Sequence, residues 1–357
     1  MLFFVTVTLL LLFVSFQEVG GTLKKNKRWL YAISIVLWVF SFIRWEVGTD
    51  WDSYYEIYED CDYIEWYEWG FLMLNRLVKH TVDNYSVLLA ILGGILFYFQ
   101  TKAIKALSIL PLTTLFILWG TNLGNVFFVR QSVAIAILLY SITQIEKRNL
   151  KNFLLLTAGA TLIHAASIAF LPAYWIYNRR FTFIQIGIAF AVSIALGEIG
   201  GTFIWGNLGS MLGGAYESKV EAYMDAGEDA TFNEGMTAAD LYIRSIGGKL
   251  LLLGLFFFLI AKRYREKVRG MMNLFLFAII MLPITYSVSP SLARMWTPYY
   301  QLQIFLMAYV LASMTRVSNK VIFFAILVAM TLLRLYLKLY IDHDGEAYLP
   351  FQTILSL

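Results

Sequence analysis

The chain has few charged residues and very few of the residue types that build metal and redox sites. Charged residues make up 15% of its 357 residues, whereas hydrophobic residues make up 59%. A single cysteine, Cys61, excludes an internal disulfide framework, and three scattered histidines argue against a metal site. No Walker, HExxH, CxxC or GxSxG pattern occurs in the sequence. The composition excludes an ordinary soluble domain, and the sequence predicts neither a metal nor another cofactor.

Apolar runs long enough to cross a membrane recur from end to end, in keeping with a mean hydropathy of +0.67. The pattern predicts an all-α integral membrane protein, a polytopic bundle of about twelve helical spans of about 20 residues each. The predicted spans are 2–17, 29–44, 84–101, 107–121, 124–144, 151–163, 165–178, 182–199, 242–261, 271–288, 296–314 and 320–341. The pair within 151–178 is short, so it either crosses twice or forms a re-entrant hairpin. We predict a single membrane domain over 1–357, with outer loops at 45–83 and 200–240.

Basic residues collect at alternate ends of the predicted spans, which sets an orientation by the positive-inside rule. The basic clusters are Lys24–Arg28, Lys102 and Lys105, Lys147–Lys151, Arg179 and Arg180, Lys262–Arg269, and Arg316 and Lys320. Carboxylates collect at the opposite ends, in residues 46–68, 217–240 and 342–346. The basic ends are therefore predicted to be cytoplasmic, with both termini outside. The net charge of +4 is a topological signal and does not indicate a nucleic-acid partner.

Acidic and aromatic residues are dense in one outer segment, which runs from Arg44 to Phe71. Aromatic rings beside carboxylates offer apolar faces and hydrogen-bond acceptors, a combination that suits carbohydrate. An amphipathic helix is predicted from four aromatic residues at helical spacing, Trp51, Tyr54, Tyr55 and Tyr58. The candidate sugar-binding residues are Trp51, Tyr54 and Trp69. The alternative is a helix of the aromatic belt that lies at the membrane interface with a solvated acidic face.

Several arginines lie at outer ends of spans or inside them, where an ionised side chain costs roughly a few kcal/mol or more. They are Arg44, Arg76, Arg130, Arg244, Arg294 and Arg334. Arginines that converge on one outer cavity would bind a pyrophosphate, because the planar guanidinium meets phosphate oxygens bidentately. Arg130 and the adjacent Gln131 are the strongest candidates, since they follow the polar break at 120–125. The alternative for each arginine alone is that it reaches the outer headgroups.

Three residues are candidates for proton transfer. His164 is the only histidine with apolar neighbours on both sides, and an imidazole titrates close to neutral pH. Asp50 follows a Gly-Thr turn, and Glu68 precedes Trp69 at the start of an amphipathic stretch. Each has a structural alternative: His164 as a hydrogen-bonded core residue, Asp50 as a helix cap, and Glu68 as a partner of a helix dipole.

These residues carry a resemblance to a known family. The first block is Arg44, Gly48, Thr49, Asp50 and Tyr54, followed by Glu68, Gly70 and Phe71. Later blocks are Arg130, Gln131 and Ala134; His164–Ser167; Arg294, Tyr299 and Tyr300; and Tyr348–Phe351. The chain thus resembles the EpsG-like family, which belongs with the Wzy-type polymerases of bacterial surface polysaccharides. The likeness spans nearly the whole chain, and Trp51 departs from it mildly, since the family more often has Tyr or Phe there.

The resemblance implies a fold related to the GT-C membrane glycosyltransferases. It also implies transfer of a glycan from undecaprenyl pyrophosphate to the non-reducing-end hydroxyl of another lipid-linked repeat unit, at the outer face of the bacterial cytoplasmic membrane. Such a reaction needs a cationic clamp for the departing pyrophosphate, which we assign to Arg130, Arg294 and Arg44. It needs a general base, for which Asp50 and His164 rank level and Glu68 follows. Substrate contacts are assigned to Gln131, Trp51, Tyr54, Trp69 and Tyr299.

Three rival functions share the same outer cavity and arginines. Two are enzymes, an O-antigen ligase and a glycosyltransferase that uses a lipid-phosphate sugar. The third is a lipid-linked oligosaccharide flippase, for which transporter folds predict inverted halves with matching interrupted helices; we find no such pair. For a polymerase, the expected partners are the lipid-linked repeat units, membrane lipid, a chain-length regulator and the flippase of the same pathway.

Overall fold

A computed structural model describes residues 1–212, 238–286, 290–341 and 346–354 of the chain. The fold is all-helical, with 80% of residues in helices. Within the described ranges no β-strand forms, and one isolated antiparallel bridge joins Arg44 to Thr353. The chain divides into two compact units, the first formed by Met1–His164 with Met307–Leu357 and the second by Ala165–Leu306.

Within the described ranges, the first unit contains ten of the longer helices and all of the outer loop 45–83. In chain order they are α1 Leu2–Gly20, α2 Asn26–Ile43, α3 Trp51–Glu59, α4 Trp69–Thr81, α5 Tyr85–Leu107, α6 Pro111–Asn122, α7 Arg130–Glu146, α8 Leu150–Ile163 and, from the carboxyl-terminal part, α12 Gln303–Ser313 and α13 Val317–Tyr340. Helix α12 begins four residues before the boundary between the units.

In its described part, the second unit contains three long helices, α9 Phe183–Leu212, α10 Ala238–Leu259 and α11 Lys262–Tyr286. The last thirteen residues of α9, 200–212, fall within the segment 200–240 that the sequence predicts as an outer loop. Residues 213–237 of that loop lie outside the described residues. Before α9, the chain forms a 3-10 helix, Ala165–Phe170, and a single α-helical turn, Ala173–Ile176.

Among the residues that the structure describes, four helices are long and apolar enough to cross a membrane by length and composition: α1, α5, α11 and α13. These helices confirm the expectation of an all-helical membrane protein. The predicted segment 165–178 is not a continuous α-helix, because the 3-10 helix and the separate turn divide it; each of the other predicted segments contains an α-helix. The count of twelve crossings, the re-entrant alternative and the GT-C likeness stay predictions.

Buried polar side chains join α1 to α6 in the first unit. The Glu18 carboxylate accepts hydrogen bonds from the backbone N–H groups of Leu112 and Thr113, at 3.2 and 2.8 Å, and from the Thr113 hydroxyl at 2.9 Å. These donors belong to the first turn of α6, where a carboxylate also interacts favourably with the helix dipole. At the other end of the contact, the Trp119 indole donates to the Thr8 hydroxyl at 2.8 Å.

The outer loop 45–83 is a folded helical hairpin. The predicted amphipathic helix is confirmed as α3, with Trp51 and Tyr58 buried against Tyr85. Arg76 of α4 donates to the carbonyls of Cys61 and Ile64, at 2.8 and 3.1 Å, and so fixes the connection between α3 and α4. The loop therefore holds the residues at its two ends, Asp50 and Glu68, in defined positions.

The segment 346–354 lies along the start of this outer loop. The backbone N–H groups of Trp45 and Gly48 donate to the carbonyls of Gln352 and Ala347, at 3.1 and 2.8 Å. Tyr348 and Phe351 also pack on Phe127, with ring centroids 5.0 and 5.9 Å away. The aromatic-Pro-aromatic motif of the sequence therefore supports the loop that contains Asp50.

Candidate active site

A buried ion pair between Arg130 and Glu68 forms the centre of the site. Arg130 is the first residue of α7 and Glu68 immediately precedes α4, so two helix starts meet here. Nη1 of Arg130 donates to Oε2 of Glu68, and Nε donates to the Tyr54 hydroxyl at 3.2 Å. The side chains of Arg130 and Glu68 are 13% and 5% exposed. Loss of either partner would remove the neutralising charge from the other in a buried setting, which is strongly destabilising.

Aromatic rings surround the Arg130 guanidinium. Its central carbon lies 4.3 Å from the ring centroid of Tyr67, 5.4 Å from that of Phe71 and 5.7 Å from that of Tyr54. Cations at such distances are attracted by the ring quadrupole. Burial raises the pKa of Tyr54, and the charge of Arg130 only partly opposes this effect. The Tyr54 hydroxyl therefore keeps its proton at neutral pH while it accepts the bond from Arg130.

His164 approaches Glu68 from the other side. It follows α8, and its Nδ1 lies 3.9 Å from Oε1 of Glu68. Close contact between α4 and α8 creates this proximity: a Cβ added at Gly70 would lie 2.8 Å from both the Cβ and the carbonyl oxygen of Leu162. The Glu68 carboxylate therefore lies between a permanent cation and an imidazole.

Arg44 is buried among backbone carbonyls. It donates to the carbonyl oxygens of Ser41, Val47 and Phe128, at 3.1, 2.9 and 3.2 Å. Gly48 permits this arrangement, because its φ of 123° is strained for other residues and an added Cβ would lie 2.7 Å from Nη1 of Arg44. Arg44 thus connects the end of α2, the Gly-Thr-Asp turn and the segment that leads into Arg130.

A small cavity lies between the Gly-Thr-Asp turn and Arg130. Its volume is about 20 Å³, room for roughly one water molecule. Asp50 lines it from the N-cap position of α3, but its carboxylate makes no capping hydrogen bond, so the capping alternative has no support in the geometry. Trp51 also lines the cavity and is buried, with its ring 5.1 Å from that of Tyr85 and 5.4 Å from the Arg44 guanidinium.

Exposed aromatic side chains lie next to Glu68 in the chain. Trp69 is 68% exposed and Trp66 is 63% exposed, and Tyr63 is exposed as well. Of the three predicted sugar-binding residues, Trp69 is therefore exposed and Trp51 is buried. Tyr54 is half-buried and contacts Arg130. Gln131, the second residue of α7, is half-buried beside Arg130.

Arg294 and Tyr299 belong to the second unit. Arg294 is exposed in the 3-10 helix Pro290–Trp296. Tyr299 is fully buried; its hydroxyl donates to the Ala169 carbonyl at 2.7 Å and its ring lies 4.8 Å from that of Phe170. Tyr299 thus connects the 3-10 helix Ala165–Phe170 to the turn Thr297–Tyr300 within this unit.

The first unit brings together Arg130, Glu68, His164 and Tyr54, four of the residues predicted from the sequence. Two further residues did not emerge from the sequence: Tyr67, the ring closest to Arg130, and Trp66. Their signal was present, since both belong to the aromatic run that ends at Phe71. Among the described residues, no group of three or more His, Cys, Asp or Glu side chains could hold a metal ion.

Apolar helices long enough to cross a membrane define a membrane-embedded protein, and the buried polar cluster next to its aromatic loop is the candidate site. A family model for the EpsG family matches residues 27–353. The chain therefore belongs to the EpsG family of polysaccharide polymerase-type membrane proteins. No curated protein and no solved structure matches the chain significantly.

Proposed function

We propose that this protein is a Wzy-type polysaccharide polymerase. It transfers a glycan from undecaprenyl pyrophosphate to the non-reducing-end hydroxyl of a second lipid-linked repeat unit. The observation that carries the proposal is the cluster of Arg130, Glu68, Tyr54 and His164. It combines a cation for a departing phosphate with groups that accept and donate protons, which are the two requirements of glycosyl transfer to a hydroxyl.

In the proposed mechanism, Arg130 binds the pyrophosphate of the donor. Phosphate oxygens compete with Glu68 for the guanidinium, because both anions accept the same bidentate hydrogen bonds. As the bond between the anomeric carbon and the phosphate oxygen breaks, Arg130 stabilises the charge that develops on the pyrophosphate. This anhydride is a good leaving group, so the proposed reaction needs no metal. Arg44, held by three backbone carbonyls, positions the segment before Arg130.

Glu68 and His164 form the proposed general base. When Arg130 binds phosphate, the buried Glu68 carboxylate loses its cationic partner, which favours a new positive charge on the neighbouring imidazole. His164 accepts the proton of the acceptor hydroxyl, and Glu68 stabilises the resulting imidazolium across their 3.9 Å separation. Direct attack of the hydroxyl on the anomeric carbon then inverts its configuration. Asp50, on the far side of the cavity, is the alternative base.

The acceptor and donor sugars contact the exposed rings of Trp69 and Trp66 in this proposal. The cavity beside Arg130 is too small for a sugar, so the loop 45–68 has to move outward when substrate binds. By the positive-inside rule this loop faces the outside of the bacterial cytoplasmic membrane. A chain-length regulator and the pathway's flippase are the proposed protein partners.

The test is reconstitution of the purified protein with its lipid-linked repeat unit, without metal or nucleotide, and separation of the products on a gel. We expect a ladder of lengthened glycans. Arg130→Lys keeps the charge but not the bidentate geometry, and we expect it to lose about 10²-fold or more in rate. Glu68→Gln should lose the ladder too, whereas the matched control Glu65→Gln, three residues away and exposed, should keep it.

Two results would contradict the proposal. Movement of the lipid-linked substrate across liposomes without any ladder would identify a transporter. Transfer of one glycan onto a different lipid acceptor, without lengthening, would identify a ligase. A ladder that persists at the wild-type rate in folded Arg130→Lys would remove Arg130 from the mechanism even if polymerisation is confirmed.

A further inference from the structure

The second unit contains a large apolar groove between α9, α10 and α11. Its volume is about 760 Å³, within the range of roughly 300–1,000 Å³ that is typical of ligand sites. The lining is mainly aliphatic and aromatic and includes Phe183, Ile186, Leu250, Leu253, Phe257 and Leu276. Phe183 and Phe258 are largely exposed. In a membrane, such a groove is open to the hydrocarbon chains of lipids.

Helix packing explains why the groove opens at one end. Helices α9 and α11 are in close contact near Gly197, where an added Cβ would lie 2.8 Å from the Pro283 carbonyl oxygen. Ser193 of α9 donates to the Ile280 carbonyl in the same region. The groove occupies the opposite end, where α9 begins, α10 ends and α11 begins. Large rings fill this end only partly. The ring centroids of Phe183 and Phe257 lie 6.0 Å apart.

Arginines form the rim of the groove at that end. Arg180, Arg265 and Arg269 line it together with one acid, Glu266, so these four side chains carry a net charge of +2. Glu266 binds two of the arginines: Arg180 at 3.3 Å and Arg269, one turn away on α11. The exposed Arg265 guanidinium lies 5.5 Å from the Phe257 ring. A cationic rim thus directly borders an apolar groove.

From this juxtaposition we infer that the groove binds an anionic glycerophospholipid of the surrounding membrane. An acyl chain would lie along the apolar lining while the phosphate contacts the arginine rim. Guanidinium groups suit phosphate oxygens because they donate two parallel hydrogen bonds. The positive-inside rule assigns this rim to the cytoplasmic side, where anionic phospholipids attract basic residues. The inference concerns the second unit alone and does not depend on the proposed polymerase activity.

The test measures phosphatidylglycerol bound to the full chain. Purified protein in detergent is mixed with phosphatidylglycerol or phosphatidylcholine, and bound lipid is counted by native mass spectrometry. We expect phosphatidylglycerol to be retained in preference. The double variant Arg265→Gln/Arg269→Gln should weaken its binding by roughly tenfold or more, because each basic side chain near a lipid phosphate contributes to the attraction. The control Lys24→Gln/Lys27→Gln removes two exposed basic residues from the first unit and should not change it.

A second pair of variants tests the apolar part. Gly254 lines the groove and Gly248 does not, and an added Cβ would meet nothing within 4 Å at either position. Gly254→Leu should reduce lipid retention by partly filling the groove, whereas Gly248→Leu should leave it unchanged. Equal retention of phosphatidylglycerol by wild type, Arg265→Gln/Arg269→Gln and Gly254→Leu would overturn the inference. So would a loss of binding in Lys24→Gln/Lys27→Gln as large as that in Arg265→Gln/Arg269→Gln. Displacement of phosphatidylglycerol by a lower concentration of undecaprenyl phosphate would assign the groove to polyprenyl lipid instead.

Discussion

Gly70→Ala should disable the site without removing any of its side chains. An added Cβ would lie 2.8 Å from the Cβ and the carbonyl oxygen of Leu162, whereas carbon atoms pack best at about 3.5–4.0 Å. Relief of this overlap requires α4 and α8 to separate by several tenths of an ångström. Overpacking of this kind lowers the stability by about 1–3 kcal/mol. Replacement of a helical glycine by alanine raises it by about 0.5–1 kcal/mol. The variant should therefore fold with a modest loss of stability.

The expected loss of activity is larger than the loss of stability. Glu68 lies two residues before Gly70 and His164 lies two residues after Leu162, so a shift between α4 and α8 changes the distance between the carboxylate and the imidazole. A misplacement of about 1 Å can cost about 10²-fold in rate. The assay is the rate of ladder formation by reconstituted protein, measured beside the thermal unfolding midpoint.

Two further variants sharpen this prediction. A Cβ added at Gly159 on α8 would have no neighbouring atom within 4 Å. Gly159→Ala should therefore keep full activity and equal or higher stability. Gly70→Ala combined with Leu162→Ala should stay impaired, because the overlap with the backbone carbonyl of residue 162 remains. Wild-type rates in folded Gly70→Ala protein would refute the idea that contact between α4 and α8 positions the base.

Two more predictions concern the first unit outside the cluster. The lone thiol, Cys61, is buried, and burial together with the nearby Asp62 raises its pKa. Maleimide labelling of Cys61 should therefore be slow at neutral pH. It should accelerate as the pH rises and the thiolate forms, and it should become fast in denaturant. A cysteine introduced at the exposed Ser53, in a Cys61→Ser background, should label quickly, and equal rates at both positions would contradict the burial of Cys61. Glu18→Gln should lower the stability by about 1–3 kcal/mol, because an amide cannot accept all the bonds that the first turn of α6 donates. Thr113→Val removes only the hydroxyl donor, so chemical or thermal unfolding should show a smaller loss of stability than for Glu18→Gln.

The sequence predicted the helices well because apolar length and aromatic spacing are local properties. Helix α3 follows from four aromatic residues at helical spacing, and α1, α2, α8 and α13 lie within a few residues of their predicted bounds. The broken segment 165–178 was harder, since an apolar run does not show whether its backbone forms an α-helix or a 3-10 helix. The division of this segment depends on contacts with residues distant in the chain, such as the hydrogen bond from the Tyr299 hydroxyl to the Ala169 carbonyl.

The roles of individual site residues were less predictable. Arg44 and Arg130 look alike in the sequence, each beside an aromatic or polar neighbour at the outer end of a span. Their surroundings differ because Arg44 meets the Phe128 carbonyl, 84 residues along the chain, whereas Arg130 meets Glu68, 62 residues back. Trp51 was a candidate sugar-binding residue in the sequence, and its burial depends on Tyr85 at the start of α5. Such pairings arise only from tertiary structure.

The pairing of the segment 346–354 with the Gly-Thr-Asp turn has a consequence for biosynthesis. The backbone of residues 43–48 obtains these partners only after the ribosome has made some 300 further residues, including all of the second unit. An incomplete nascent chain therefore lacks the backbone partners of Trp45 and Gly48. Because this support arrives last, the Gly-Thr-Asp turn that contains Asp50 reaches its final setting only after the rest of the chain has been made.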